Sequence, residues 1–388
     1  MAEFKLVKIS DIAQTNTSSY SSKNNWAFVN YLDTGNITQN VIDSIQHIDL
    51  TEEKLPSRAK RKVKTNSIIY STVRPNQLHY GIVKSQPQNF LVSTGFTVID
   101  VDETKAVAEY VYYFLTQADI VESLQAIGEQ SVSTYPSIKP SDIENIEIPL
   151  PSLDVQKKIV GILKSLDDKI ASNSAINNNL AEQAMTLFKL YYDHASVEVG
   201  FTDLIQILGG GTPKTSTESY WNGEIPFFTP KDVGNPYVLT TEKYITDDGL
   251  AHCNSRLYPI NTVFVTARGT VGKISMPGVP MAMNQSCYAL VGKGIPQLLV
   301  YFYTLQTVAK LKHKAMGAVF DAITTRDFET EQIKKLDDES IMSFISTVEP
   351  IYGEILALTK ECQRLSTLRD ALLPKLITGA VDVSDVEI

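Results

Sequence analysis

Ser152-Leu153-Asp154-Val155-Gln156-Lys157-Lys158-Ile159 opens a stretch that runs on to Tyr192. Along it Ile159, Leu163, Leu166, Ile170, Asn173, Asn177, Leu180, Ala184, Leu187 and Tyr191 recur in alternating steps of four and three. That is the a/d seam of a helix lying along another helix. At 1.5 Å per residue the helix is roughly 60 Å long, more than a domain-internal helix needs. Pro149 and Pro151 close off what precedes it. Ser152 is the expected N-cap, and Asp154 is well placed against the positive end of the dipole. Asn173 and Asn177 put two polar residues into the seam. Buried there, an Asn weakens pairing but fixes register and partner; a frayed or solvated stretch is the alternative.

A second seam of matching length answers the first. Between residues 338 and 378, Ile341, Phe344, Val348, Ile351, Ile355, Leu358, Cys362, Leu365 and Leu372 show the same alternation. Asp337, Asp338 and Glu339 crowd its first turn and Gly379 follows its last apolar residue, the expected start and stop signals. Pro350 and Gly353 predict a kink or break in its first third. Two such helices, each following a large non-coiled segment, predict a paired rod separating two globular units. The expected fold class is α+β: mixed domains over 1–150 and 196–336, long helices over 151–195 and 337–380, and a tail over 381–388.

The order of signals is itself doubled, and repeats of this size are tested first. Val111-Tyr112-Tyr113-Phe114-Leu115-Thr116-Gln117 lines up with Val300-Tyr301-Phe302-Tyr303-Thr304-Leu305-Gln306, and at the same separation Gly128 falls on Gly317. Upstream, Ser67-Ile68-Ile69-Tyr70-Ser71-Thr72-Val73-Arg74 matches Asn261-Thr262-Val263-Phe264-Val265-Thr266-Ala267-Arg268; downstream, residues 138–143 resemble 323–328. Runs at 66–73, 90–101, 262–267 and 286–291 read as strands, and 107–124 and 297–314 as amphipathic helices. Long polar connections at 14–25, 209–223 and 232–254 are where recognition usually resides.

Bulk composition bounds the function. The chain has 388 residues, 43% hydrophobic and 20% charged, which suits a globular protein of two domains. Three cysteines at 253, 287 and 362 have no metal spacing, so a reducing, cytoplasmic setting is expected. No apolar leader opens the sequence, and no uninterrupted apolar run approaches membrane-spanning length. A formal net charge of −9 argues against coating nucleic acid by charge alone, though not against a local basic face.

Enzyme motifs fail on inspection. Gly209-Gly210-Gly211-Thr212-Pro213-Lys214-Thr215 has Pro where a phosphate loop requires Gly before Lys, and Tyr220-Trp221 rather than a helix follows. Gly234-Asn235-Pro236-Tyr237 lacks the second Pro of an adenine methyltransferase signature and reads as a turn. Glu52-Glu53-Lys54 lacks the Pro-Asp strand of a nuclease and reads as a charged loop. The five histidines are scattered, with no ligand or triad spacing. Binding features are richer. Arg58, Lys60, Arg61, Lys62 and Lys64 form either a solvated face or a phosphate-contacting edge. Arg74, Asn76, Gln77, His79 and Tyr80 include the donors that read base edges. The second copy offers Lys214, Thr215, Tyr220, Lys231, Asp232, Arg268, Thr270, Lys273, Asn284 and Gln285. Trp221 and Phe227-Phe228 read as core ahead of stacking platforms. Arg74 and Arg268 stand out because they end equivalent strands.

With these residues in view, the layout resembles the DNA specificity subunits of type I restriction–modification systems. Gly210-Gly211-Thr212-Pro213, Tyr220-Trp221-Asn222-Gly223, Ile225-Pro226-Phe227-Phe228-Thr229-Pro230-Lys231-Asp232, Arg268-Gly269-Thr270-Val271-Gly272-Lys273 and Met283-Asn284-Gln285 look like a target recognition domain. Residues 148–159 look like the entry to the central helix, and Leu372-Leu373-Pro374-Lys375-Leu376-Ile377-Thr378-Gly379 like the closing segment. The first domain lacks the Gly-Gly-Thr-Pro and Tyr-Trp signatures, which implies a different DNA sequence for it. The resemblance implies that two recognition domains each bind half of a split double-stranded DNA target, with an antiparallel pair of long coiled-coil helices as ruler and as dock for two methyltransferase subunits. Restriction and translocase subunits would join them. Methyl transfer from S-adenosylmethionine, and the use of ATP and Mg, would belong to those partners, leaving this chain non-catalytic, with no cofactor, no metal and no membrane. A structural adaptor, in which the rod spaces two protein-binding domains, is the competing reading.

Overall fold

The computed structural model describes residues 4–131, 135–234, 236–314, 322–383 and 386. Gly317, expected to match Gly128, lies outside them. The chain divides into two compact units, residues 1–169 with 365–388, and residues 170–364. Both boundaries fall inside the long helices, so each unit owns one stretch of each.

Unit 1 is built from β1 (Lys5–Lys8), β2 (Ala13–Thr15), β3 (Phe28–Leu32), β4 (Gln46–Asp49), β5 (Ala59–Arg61), β6 (Ile68–Ser71), β7 (Tyr80–Ile82), β8 (Phe90–Ser93), β9 (Phe96–Val101), α1 (Ala108–Leu115), α2 (Ala118–Glu129) and β10 (Glu147–Leu150), followed by the long helix α3 (Leu153–His194). One sheet has the order β4-β3-β8-β5, the other β2-β9-β6-β7, and β1 pairs with β10. Strands β6 and β9 are buried at every position and take the two central places; the one carboxylate among them, Asp100, accepts from Ser67 Oγ at 2.6 Å.

Unit 2 repeats the plan with β11 (Val197–Gly200), β12 (Ile205–Gly209), β13 (Trp221–Phe228), β14 (Tyr237–Val238), β15 (Lys243–Ile245), β16 (Val263–Thr266), β17 (Ile274–Pro277), β18 (Ala282–Met283), β19 (Cys287–Gly292), α4 (Gln297–Lys314), β20 (Gln332–Lys335) and the second long helix α5 (Asp338–Ile377). Its sheets run β12-β19-β16-β17-β14 and β15-β13-β18, and β11 pairs with β20. Even local devices recur. An aspartate three residues into a single-turn helix accepts from the preceding backbone N–H four times over: Asp11 from Lys8, Asp203 from Gly200, Asp142 from Lys139 and Asp327 from Thr324. Each satisfies one of the amides that a helix start leaves open. The copies differ where α1 stops at Leu115 and α2 restarts at Ala118, while α4 runs unbroken through the aligned Leu305 and Gln306.

The helix pairing is antiparallel, because partners descend α5 as they climb α3. In unit 1 Arg369 Nη1 donates to Asp167 Oδ1 at 2.8 Å. In unit 2 Asn173 Nδ2 donates to Glu361 Oε2 at 2.8 Å, Asn177 Nδ2 to Thr359 Oγ1 at 3.3 Å, and Tyr191 OH meets Ser343 Oγ at 2.7 Å. Both asparagines are buried, so the seam keeps them rather than fraying. Ile159, Leu163, Ile355 and Leu358 are buried with them; Leu166, Ile170, Leu180, Cys362 and Leu365 are half-buried.

Three expectations are corrected. Towards the C-terminal ends of the helices the heptad gives way: Phe188 and Tyr192 are buried where Leu187 and Tyr191 were expected, and Leu373, Leu376 and Ile377 where Leu372 was. A straight helix drifts by about 20° per heptad against a strict seven-residue repeat, and the core of each unit captures the drifted face. Finally, α5 continues through Pro350 without a break. Pro350 and Ser346, whose carbonyl loses its helical donor, are both exposed. Water can serve that carbonyl, and the buried Phe344, Val348, Tyr352 and Ile355 hold the flanking turns. This helix contains an 18-residue window of mean hydropathy 1.3, long and apolar enough to cross a membrane by composition alone. Here it supplies those four side chains to the core of unit 2.

Candidate nucleic-acid interface

In unit 1 two basic segments converge on one turn. The Thr94-Gly95 link between β8 and β9 donates through Thr94 N to Arg58 O at 2.8 Å, and Gly95 O accepts from Thr72 N at 2.8 Å. The stretch 58–64 and the arm ending in Arg74 therefore flank the same two residues. Residues 18–20 line the outer edge of β5, with Tyr20 N on Lys60 O at 2.7 Å and Lys62 N on Ser18 O at 3.1 Å. The backbone edge is thus closed, and only side chains remain to act outward. Lys60 and Lys64 are exposed, and Arg61 is half-buried with its Nε enclosed and unpartnered. Lys62 lies over the Trp26 ring at 5.2 Å.

Arg74 sits at φ +49°, a left-handed conformation that turns the chain out of the sheet into the tight turn Pro75–Gln77. Its amide donates to Pro136 O at 2.9 Å, and its guanidinium stacks on Tyr135 at 4.5 Å. Asn76 and Gln77 are exposed. His79 is anchored through Nδ1 to Ile37 O at 2.6 Å. Tyr80 is a correction: 5% exposed and stacked on Tyr70 at 5.5 Å, it belongs to the core, and burial raises its pKa. Its place on β7, behind the turn, is what removes it from the surface.

In unit 2 four loops are tied together. Gly211 N donates to Met283 O at 3.1 Å, Asn284 N to Phe228 O at 3.0 Å, Arg268 N to Ser286 O at 3.3 Å and Thr270 Oγ1 to Pro230 O at 3.0 Å. Thr212 Oγ1 also hydrogen-bonds Gln285 Oε1. Packing explains the Gly-Gly-Thr-Pro signature. A Cβ on Gly210 would lie 2.0 Å from Asn284 O, and one on Gly211 would lie 2.5 Å from Asn254 N. Gly269 and Gly272 have φ of +81° and +71°, which lets the Arg268–Lys273 segment coil back on itself. Arg268, Lys214, Thr215 and Lys273 are exposed. Burial, then the nearby Lys273 charge, lowers the pKa of Lys312 beneath that segment.

Other candidates are already committed. Asp232 accepts from Thr229 N at 2.8 Å, Thr229 Oγ1 at 2.6 Å and Glu242 N at 2.7 Å, so it clasps its own loop. Lys231 Nζ lies 3.4 Å from Glu242 Oε2, and Tyr220 stacks on His252 at 5.0 Å. Sequence reasoning missed Trp26, Tyr135 and Lys243. Trp26 and Tyr135 lie in irregular segments without periodicity, and Lys243 stands outside every basic cluster. Among the described residues no group of His, Cys, Asp and Glu side chains could hold a metal ion.

The doubled unit, with exposed cations and amides gathered on loops at the strand ends of each copy, defines a two-domain recognition subunit. The chain belongs to the type I restriction modification DNA specificity domain family, whose model matches residues 1–182 and again 196–349. It is thus a DNA specificity subunit of the type I restriction–modification class. It is similar to the type I restriction enzyme HindI specificity subunit of Haemophilus influenzae, 23% identical over 98% of this chain and 100% of that one. The EcoR124I/EcoR124II specificity subunit of Escherichia coli is 31% identical over half of each chain. In fold it resembles the crystallised S subunit of a type I restriction–modification system from M. genitalium, with a TM-score of 0.57 at 14% identity over 99% of this chain and 97% of that one.

Proposed function

We propose that this chain reads a bipartite duplex target, one half-site through each unit, and presents it to two methyltransferase subunits, to which restriction and translocase subunits are added. Transfer of a methyl group from S-adenosylmethionine to adenine, and the ATP- and Mg-dependent steps, belong to those partners in a cytoplasmic complex. The observation that carries this reading is the pair Arg74 and Arg268, each leaving a buried central strand of its own copy towards loops rich in amides and cations. An arginine so placed can donate two parallel hydrogen bonds to guanine O6 and N7. The net charge of −9 leaves the phosphate field to local lysines and to partners that close around the duplex.

Two measurements test it. Mapping methylated adenines in the host genome yields both half-sites at once; a single, undivided site ends the proposal. Arg268→Ala is expected to relax one base position in one half-site by about 1–3 kcal/mol and leave the other half-site unchanged. Equal loss at both halves rejects the assignment. DNA affinity that is indifferent to salt favours an adaptor for proteins, because phosphate contacts must release counterions.

A further inference from the structure

The chain has two tryptophans, one in each unit, and each indole carries a lysine ammonium over its face. Lys62 Nζ is 5.2 Å from the Trp26 ring centre, and Lys243 Nζ 5.8 Å from that of Trp221. Trp26 stands two residues before β3, and Trp221 opens β13. These strands hold the same place in their sheets, each between an antiparallel neighbour, β4 or β15, and a parallel one, β8 or β18. The lysines have unrelated origins: Lys62 follows β5, whereas Lys243 begins β15. The match therefore lies in the assembled pair and cannot be found by aligning the copies.

Each indole is itself fixed. Trp26 packs on Tyr20 at 4.9 Å. Trp221 donates from Nε1 to Lys214 O at 3.3 Å and meets the Phe227 ring edge-on at 5.6 Å. Neither Lys62 nor Lys243 is ion-paired among the described residues, whereas Lys84, Lys231 and Lys314 are. Thr215, Trp221, Asn222, Glu242 and Lys243 line an open depression of about 270 Å³, where the Glu242 charge is met by Lys231.

We propose that Lys62 and Lys243 are phosphate contacts, one in each recognition unit, and that Trp26 and Trp221 are the residues that position them. The proposal rests on the DNA-reading function above. An ammonium is a compact charge without the planar fork that reads a base edge. Held over an indole, it has lost stem freedom before DNA arrives and keeps N–H donors turned outward. The contact takes up one face of each indole, and the role assigned to these tryptophans is to orient that cation. Such contacts fix the placement of each unit and carry no sequence information.

The test uses the full chain assembled with its methyltransferase partners, a duplex bearing the mapped target and a duplex of random sequence. Lys62→Gln and Lys243→Gln are each expected to weaken both duplexes alike and to reduce the slope of log affinity against log salt by about 0.9. Between 50 and 200 mM salt, each variant then loses about threefold less affinity than the parent. The methylated sequence should stay the same. Trp26→Leu should reproduce the Lys62→Gln slope, and Trp26→Tyr, which keeps a π face, should restore the parent value at unchanged thermal stability. An unchanged slope in both lysine variants, or altered preference at a single base, overturns the proposal while the reading function stands. A parent complex that does not distinguish the two duplexes fails the reading function itself.

Discussion

The two recognition units grip the long helices with different chemistry at equivalent places. In unit 1 Tyr113 donates to Asp167 Oδ2 at 2.7 Å, Asp167 accepts from Arg369 at 2.8 Å, and Arg369 also reaches Asp370 at 2.8 Å. Burial opposes the Arg369 charge, but the hydrogen bonds it donates to both aspartates, with their charges, outweigh it and raise its pKa above the ordinary range. In unit 2 Phe302 is aligned with Tyr113, and the junction is aromatic. Phe188 lies against Tyr192, Phe302, Tyr303 and Phe344, with ring centres 5.2–5.8 Å apart. One duplicated fold therefore tolerates either a directional, partly solvated ionic junction or an area-driven one. The two should respond differently to truncation and to salt.

The largest expected effect is at the aromatic junction. Phe188→Ala removes a ring that is 0% exposed and should cost about 3–5 kcal/mol in chemical denaturation. Asp167→Ala removes one of the two carboxylates on a half-buried guanidinium and leaves a tyrosine hydroxyl without its acceptor, and should cost about 1–2 kcal/mol. That cost should shrink at high salt, whereas the Phe188→Ala cost should not. Equal costs with equal salt response would erase the contrast.

A smaller test lies in the sheets, where Cys287 faces Thr266 at the ends of two paired strands. Burial, then the Asp232 charge, pushes the Cys287 thiol up to about 12 from 9.0. The folded state thus prefers the protonated thiol, so unit 2 should lose stability as pH rises from about 9 towards 12, and Cys287→Ser should flatten that loss. Alkylation of Cys287 should be slow until unit 2 unfolds; labelling of the native protein as fast as at Cys253 would refute its burial. The smallest effect is expected in the seam. Asn173→Leu removes a buried amide whose Oδ1 has no partner, and the unfolding free energy read by chemical denaturation should rise, by about 1 kcal/mol or less.

The seams were legible where the partner helix is the neighbour that a side chain meets, as at Asn173 and Asn177, because one straight neighbour imposes one periodicity. Ile159, Leu163, Asn173, Asn177, Ile355 and Leu358 follow it. At the ends a third neighbour, the recognition domain, competes for the same turns, and Phe188 and Leu373 replace the heptad positions. The helix does not break at Pro350 because propensity is local while the packing on both sides of the proline is not. Among site residues, Arg74 and Arg268 could be named because they end buried strands. The burial of Tyr80 and the clasping role of Asp232 depend on loops folding back from afar.

By itself the amino-acid order determined the duplication, the two long helices, their matched length and the strands that end in arginine. These are encoded in spacing, and spacing survives without contacts. Only the tertiary structure decided which cations remain free, which tryptophan faces are occupied and how each unit is fastened to the helices. Those outcomes join residues far apart in sequence, and no local pattern records such meetings.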